Sequence, residues 1–499
     1  MAQTITSALA WWAGDRPDMP ALSIHGRSIT YREYHRWSEE IAASLAARGV
    51  GKGDRVAICG KNSLTQCALI MGIIRAGAIA VPVNFRYTIH EMRDIVGDTE
   101  PVMAIADEQE YARMRELDVP VERMSAFEGP SADSAPHVNV DPDPDAPIVI
   151  IATSGSTAKP KGVVYSHRTT TSYALEFAVE EASCLKGSRV VVAAPLCTSA
   201  GMVQLLQHCV LGCTIYFEPA FDAERYLEIL EREKINGFAA TPIFFERIAA
   251  APGFEQADLS HLAFAVTGGS AVSPELQKAW LNKGVVLRQI YGQTEAGGNA
   301  TIMPAEHAAA QPEKCGRGGL FTELATVDED GRRCAPGEVG QILIRGPGCM
   351  VGYWNNPEAT AETLRDGWLY TGDLGCLDEA GFLTFVDRIK DIIISGGLNI
   401  SAAEVERVLQ TYPGVEEAVI LAARDDKFGE TPLAVVHASA ELDSADVVRH
   451  CNEHLADYKV PRYLVVEDEP LPRLATGKIA KPMLRQKYAA APDALPRVR

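Results

Sequence analysis

The chain has 499 residues, more than one ordinary hydrophobic core accommodates, so two or more domains are expected. Its 47% hydrophobic and 23% charged residues are those of a globular protein. A formal net charge of −19 provides no basic field for a nucleic acid or an anionic membrane surface, so any phosphate binding must be local. Eleven cysteines without a Cys-x-x-Cys pair exclude the spacing of a zinc or thioredoxin-like centre and fit a reducing, cytoplasmic setting. Met1 to Trp12 lacks the basic region of a signal peptide, and Leu495 to Arg499 is not a peroxisomal address.

In chain order, Thr30 to Glu33 reads as a capping box opening a helix with Tyr34, Trp37, Ile41 and Leu45 on one face, stopped near Gly49. Arg55 to Cys59 reads as a strand. The apolar stretch Cys67 to Phe85, broken by Arg75 and Pro82, reads as a buried helix and strand rather than a membrane span, so no integral membrane contact is expected. Asp141 to Pro147 is a linker, and Ile148 to Ala152 a buried strand. Further strands are expected at Val190–Ala194, Cys213–Phe217, Phe264–Thr267 and Val285–Ile290, with helices between them, the alternation of parallel α/β sheets. Cys209 and Cys213 read as core residues. Val339–Ile344 belongs to a smaller β subdomain. Near Lys390 the pattern restarts: a second capping box at Ser401–Glu404, a helix ending before Pro413-Gly414, strands at Ala418–Ala422 and Leu433–Ala438, and a helix from Ser444 to Leu455. The expected architecture is therefore α/β: a large domain over residues 1–389 with α/β sheets and a β subdomain, then a small mobile α+β domain over 390–499, of about 110 residues.

Five segments carry chemistry. Thr153-Ser154-Gly155-Ser156-Thr157-Ala158-Lys159-Pro160-Lys161-Gly162 offers hydroxyls, backbone N–H groups and two lysines, as a phosphate loop requires; its spacing is not that of a Walker loop, and a solvated turn is the alternative. Tyr291-Gly292-Gln293-Thr294-Glu295 follows a strand, where α/β sheets bind ligands, and presents a stacking ring, a hydroxyl and a hard oxygen ligand for Mg2+. Asp373, in Tyr370-Thr371-Gly372-Asp373, could accept two ribose hydroxyls or simply make a turn. Asp387-Arg388-Ile389-Lys390-Asp391, before a Gly-rich turn, reads as a hinge or a solvated face. Gly477-Lys478 closes a polar loop after Pro472.

Together, in this order, the segments resemble the adenylate-forming superfamily of acyl- and aryl-CoA synthetases, adenylation domains and luciferases, from about Ala21 to Tyr488. The resemblance implies an AMP-forming acid–CoA ligase using ATP, Mg2+ and coenzyme A, with a small-molecule carboxylic acid as its other partner and no nucleic acid; it leaves a homodimer open. By the same resemblance, Thr153, Ser154, Gly155, Ser156, Thr157, Lys159 and Lys161 close over the β- and γ-phosphates. Gly268, Gly269, Ser270, Tyr291, Gly292 and Gln293 form the adenine side. Thr294 contacts the α-phosphate, Glu295 binds the metal, and Asp373 and Arg388 hold the ribose. Lys478 bridges the acyl carboxylate and α-phosphate, and Lys390 is the hinge. Ser395, Gly396 and Gly397 line a thiol tunnel after the small domain rotates. Lys478 also matches the pattern of synthetases controlled by lysine acylation, which would remove its charge.

The chain departs from that pattern at several points. Cys197-Thr198 stand where many relatives have an aromatic-His pair, and Ala200 and Gly201 are small, which implies a wide acid pocket; Gln204, Gly297 and Asn299 complete it. One or two amides in a wide pocket favour a cyclic or aryl acid with a polar group, with a medium- or long-chain alkyl acid or a carrier-protein acceptor as alternatives. Amino acids are disfavoured, because no acidic residue between Ala193 and Gly212 is available for an ammonium group. Ala158, Leu398 and Ala402 also depart from the family, without a physical account.

Overall fold

The computed structural model describes residues 3–129, 143–153, 160–270, 272–440, 442–474 and 478–499. The chain gathers into two compact units. The first comprises Met1–Leu324, Ile344–Tyr370 and Gly381–Leu383, and the second Ala325–Leu343, Thr371–Ala380 and Thr384–Arg499. Among the described residues no helix is long and apolar enough to cross a membrane.

The first unit contains two seven-stranded sheets. One runs Leu287–Ile290, Phe264–Gly268, Gly237–Ala240, Arg189–Val192, Thr214–Phe217 and Pro20–Ile24, all parallel, with Arg27–Thr30 antiparallel at the edge. The other has Pro147–Thr153, Ile79–Val83, Arg55–Cys59, Met103–Ala106 and Val121–Arg123 parallel, then Lys161–Ser166 and Gly352–Tyr353 antiparallel on the far side. The central strands are buried apolar runs, as parallel sheets covered on both faces require. The stretch expected to be a buried helix and strand is one: helix Leu64–Arg75 has every residue after Leu64 buried, and Ile79–Val83 follows it.

The helix expected after Thr30 forms as its sequence dictates. Helix Tyr31–Ala47 is opened by a complete capping box: the Glu33 amide donates to Thr30 Oγ1 at 3.2 Å and the Thr30 amide to Glu33 Oε2 at 2.7 Å. Tyr34, Trp37, Ile41 and Leu45 are all buried, and Gly49 adopts φ +85° just past the end. The capping box expected at Ser401–Glu404 is only half made. Ser401 Oγ accepts the Glu404 amide, but the Glu404 carboxylate is taken by Lys459 Nζ at 2.6 Å, an ion pair that outcompetes a bond to the backbone.

In the second unit Val415–Asp425 pairs antiparallel with Gly429–Ala438, which pairs parallel with Tyr463–Glu467; the hairpin Ile392–Ser395 and Leu398–Ser401 joins the same sheet. Helices Ala402–Gln410 and Ser444–His454 cover one apolar layer, and Lys481–Lys487 and Ala491–Ala494 the other. The strands Glu323–Val327, Gly340–Arg345, Trp368–Leu377 and Leu383–Arg388 supply the β portion expected from the sequence.

Candidate active site

The nucleotide side begins where two parallel strands end. Gly268 lies beside Ile290 in register, so the exposed Gly269 and Ser270 and the buried Tyr291 emerge together from the carboxyl edge of the sheet. Only glycine suits position 269, where φ is +87°. Arg288, one strand position below, is buried in an ion pair with Glu181 and fixes this strand from beneath.

After Tyr291 the chain makes a tight hairpin. Gly292–Gln293 pairs antiparallel with Gly298–Asn299 across the short turn Thr294–Ala296. A side chain at 292 would meet Gly298 O at 1.9 Å, and one at 297 would meet Gly348 O at 2.2 Å. Gly297 therefore closes this turn, with φ +79°. The turn's polar groups interlock. Tyr165 Oη donates to Thr294 O at 2.5 Å, Thr294 Oγ1 lies 3.0 Å from Ser199 Oγ, and Tyr353 Oη donates to Glu295 Oε1 at 2.9 Å. Burial and the neighbouring Glu295 carboxylate raise the Tyr353 pKa well above that of a free phenol, so it remains a donor.

Thr153 and Lys161, at the ends of the expected phosphate loop, reach the same place. Thr153 faces Lys161 in the antiparallel ladder, with Thr153 Oγ1 donating to Lys161 O at 3.3 Å. Tyr353 pairs with Val163, and Lys161 Nζ sits 4.9 Å from the centre of its ring. Lys161, Tyr353, Glu295, Thr294 and Ser199 thus form one linked cluster. Ser154, Gly155, Ser156, Thr157 and Lys159 lie outside the described residues. The cluster takes in Tyr353, Tyr165 and Ser199, which belong to none of the sequence motifs. No spacing marks them, because strand pairing at 352–353 and the start of helix Ser199–Leu211 bring them in.

The structure places the expected pocket residues unequally. Thr198 is the N-cap of helix Ser199–Leu211: its Oγ1 accepts the Gly201 amide at 3.3 Å and donates to Pro195 O at 2.7 Å. Cys197 is buried, its thiol pushed up to about 12 by burial, with Cys59 and Tyr87 for neighbours. Ala200 is exposed and Gln204 half-buried on the same helix. Gln204 Oε1 and Gln293 Nε2 are shielded from solvent and have no hydrogen-bond partner among the described residues. Asn299 lines a cavity with Tyr173, Phe177, Phe264, Ile290 and Met303.

The second unit carries the other set. Asp373 is buried; its amide donates to Thr371 Oγ1 at 3.1 Å, Thr371 Oγ1 donates to Ile342 O at 2.7 Å, and Arg388 Nε lies 3.7 Å from Asp373 Oδ1. Lys478 is surface-accessible. The protein mass around it lowers its pKa, Arg388 lowers it further and Asp373 opposes them, so Lys478, Arg388 and Asp373 form one electrostatic group. The ladder Arg473–Ile479 and a bond from the Leu474 amide to Lys478 O at 2.7 Å hold Lys478 at the foot of its loop. Asp387 is internal: its Oδ2 accepts from Ser401 Oγ at 2.8 Å and the Ala403 amide at 2.9 Å, fixing a helix start. Lys390 is exposed in the single turn Ile389–Asp391, while Asp391 is held by Arg485 at 2.5 Å. Ser395 is buried. Gly396 and Gly397, at φ +59° and +82°, make the two-residue turn that pairs Ser395 with Leu398.

Strand-end glycines, an interlocked Thr-Glu turn, a flanking lysine and a separate Asp–Arg–Lys group define an adenylate-forming enzyme of the acid–CoA ligase class. The sequence matches the AMP-binding enzyme family over residues 9–354 and the AMP-binding enzyme C-terminal domain over 404–478, and the chain belongs to this family. It is 35% identical to a feruloyl-CoA synthase of Amycolatopsis sp over 483 residues, 95% of this chain and 96% of that one. It is 32% identical to a long-chain fatty acid–CoA ligase of Mycobacterium tuberculosis, covering 93% of each. The structure is similar to the o-succinylbenzoate–CoA synthetase of Bacillus subtilis in complex with its acyl-adenylate, with TM-score 0.88 at 28% identity over 96% of this chain and 97% of that one.

The enzyme is an ATP-dependent acid–CoA ligase, with ATP, Mg2+ and CoA as its cofactor and substrates. The donor set fits Mg2+: Glu295 offers a hard carboxylate oxygen, and such sites take one or two carboxylates and complete the shell with phosphate oxygens and water.

Proposed function

We propose that this ligase activates an aryl or cyclic acid bearing a polar substituent, with Lys478 acting in adenylation alone. The observation that carries the substrate reading is Gln204 Oε1, shielded and without a hydrogen-bond partner among the described residues, on the helix whose first residue touches Thr294. A shielded acceptor without a partner costs about 1–3 kcal/mol, which a substrate hydroxyl would recover. The relatives' aryl substrates, ferulate and succinylbenzoate, support this class; the fatty acid–CoA ligase supports the alkyl alternative.

In this reading the acid's carboxylate approaches an anionic α-phosphate, and like charges repel. Lys478 and the Thr294 hydroxyl offset that repulsion at the oxygens where charge builds up. Lys161, with Ser154, Gly155, Ser156, Thr157 and Lys159, holds the departing pyrophosphate. Bound Mg2+ would supply Lewis-acid neutralisation of the phosphates at Glu295. Gly268, Gly269, Ser270 and Tyr291 hold adenine, and Asp373 and Arg388 hold ribose. CoA sulfur then attacks the acyl carbon and AMP leaves. Lys390 is the hinge of a domain over 390–499, and Ser395 to Gly397 face the thiol. Eleven free cysteines support residence in a reducing cytoplasm.

The test is AMP and acyl-CoA formation with Mg-ATP, CoA and alkyl acids, benzoates, cinnamates and polycyclic propanoates. Hydroxylated aryl acids should be preferred, and Gln204→Leu should raise their KM about tenfold, the equivalent of one lost hydrogen bond, while leaving unsubstituted cinnamate unchanged. Preference for unbranched alkyl acids overturns the substrate reading. Adenylates without any CoA thioester would point to a carrier-protein acceptor.

A further inference from the structure

We propose that His450, Glu453 and His454 bind one divalent transition-metal ion, of the zinc type, on the last turn of helix Ser444–His454, independently of the magnesium used in catalysis. One donor atom from each residue lies within 4.8 Å of the other two, a spread one small ion can bridge. The spacings i, i+3 and i+4 put all three on one helix face, and the two imidazole rings are 4.5 Å apart.

The hydrogen bonds fix which nitrogens are available. His450 Nε2 lies 3.2 Å from the Val408 carbonyl, and His454 Nδ1 lies 2.8 Å from the His450 carbonyl. A carbonyl oxygen only accepts, so both ring nitrogens carry the proton. A neutral imidazole then leaves its lone pair on the opposite nitrogen: Nδ1 of His450 and Nε2 of His454. Metal-binding histidines are oriented in this way, the far nitrogen donating to a carbonyl. The Tyr412 ring meets His450 edge-on at 5.4 Å and Thr411 Oγ1 lies 2.9 Å from its Nε2, so the ring is already held. His450 is half-buried, whereas Glu453 and His454 are exposed, leaving the ion a path in and room for water to complete its shell.

The position favours a cation. The last turn of a helix carries the negative end of the backbone dipole, and Glu453 adds a full negative charge. Two nitrogens and one oxygen suit Zn2+, Ni2+ or Cu2+ and disfavour Mg2+, which seeks oxygen. Because His450 also bonds to the end of helix Ala402–Gln410, an ion here would tie the last turns of both helices.

The test is calorimetric titration of metal-stripped, full-length protein with ZnCl2, beside His454→Gln and Glu453→Gln, whose exposed positions leave the fold intact. The expected result is one equivalent bound by the parent. Loss of an outer partner weakens a metal site about 10- to 100-fold, so loss of a ligand should cost at least that. The Co2+ form should lack thiolate charge-transfer absorption, and both variants should retain acid–CoA ligase activity. Equal stoichiometry and affinity in parent and variants, or a Co2+ spectrum with thiolate bands from the cysteines, overturns the proposal.

Discussion

The two sets of candidate site residues, one in each unit, are built to opposite specifications. In the first unit the candidate groups are held by others: Glu295 by Tyr353, Thr294 by Tyr165 and Ser199, with Lys161 against the Tyr353 ring. In the second, Asp373 is buried and anchored, whereas Arg388, Lys390 and Lys478 are exposed. A nucleotide site used in both half-reactions gains from being preorganised. A lysine that acts in only one, as proposed for Lys478, gains from being exposed, with no ion-pair partner among the described residues.

The largest expected effect tests that division. Lys478→Ala should lower adenylation about 100- to 1,000-fold, the usual cost of removing one transition-state donor. It should leave thioester formation from preformed acyl-adenylate within a few-fold of the parent. Single-turnover assays of each half-reaction read this out, and equal losses break the comparison. Because the Lys478 pKa is lowered, the cation is lost at a lower pH than for a free lysine. The alkaline limb of adenylation should therefore begin early and retreat to higher pH in Lys478→Arg.

Next in size is Tyr353→Phe. It strips Glu295 of its hydroxyl donor, a bond to a charged group of about 1.5–3 kcal/mol, and should raise the Mg-ATP requirement of adenylation about tenfold or more. An unchanged requirement would mean that the interlocked cluster is not what prepares the first unit. Gly396→Ala should cost about 1–2 kcal/mol of stability, because φ is +59° and a Cβ would lie 3.0 Å from the Phe428 ring. Differential scanning calorimetry should show the loss in the transition of the small unit alone.

The smallest effect is an acid slope. His208 is buried without a partner for Nδ1 among the described residues, and burial lowers its pKa to about 4. Between about pH 6.5, the value for a free histidine, and pH 4, the unfolded chain takes up a proton that the folded one refuses. Stability should therefore fall as pH falls through that window. His208→Gln should flatten the slope in urea titrations at pH 7 and pH 5, and an unaltered slope would assign it to other buried groups.

Much of this was legible in the sequence, and the reasons are local. The Thr30 box, the buried run from Leu64 to Val83 and the strand before Tyr291 depend on neighbours a few residues apart, and they form as the pattern implies. What depended on distant partners was not legible. Glu404 leaves its capping box for Lys459. The hydroxyl of Thr198 is consumed by its own helix cap, and Gly297 serves a turn against Gly348. Tyr353 reaches Glu295 only because residues 352–353 pair with 163–164, a register no short motif encodes.

Ser199 touches the Thr294–Ala296 turn through Thr294, while Gln204, just over a turn further along the same helix, presents a carbonyl oxygen with no hydrogen-bond partner among the described residues. Every contact expected for ATP hangs on strand ends, hairpins or loops; the selectivity expected for the acid hangs on one helix surface. That surface can drift through many side chains while the nucleotide machinery stays constant. Selection, or a laboratory library confined to positions 200 and 204, could thus exchange one acid for another and keep the activating chemistry whole.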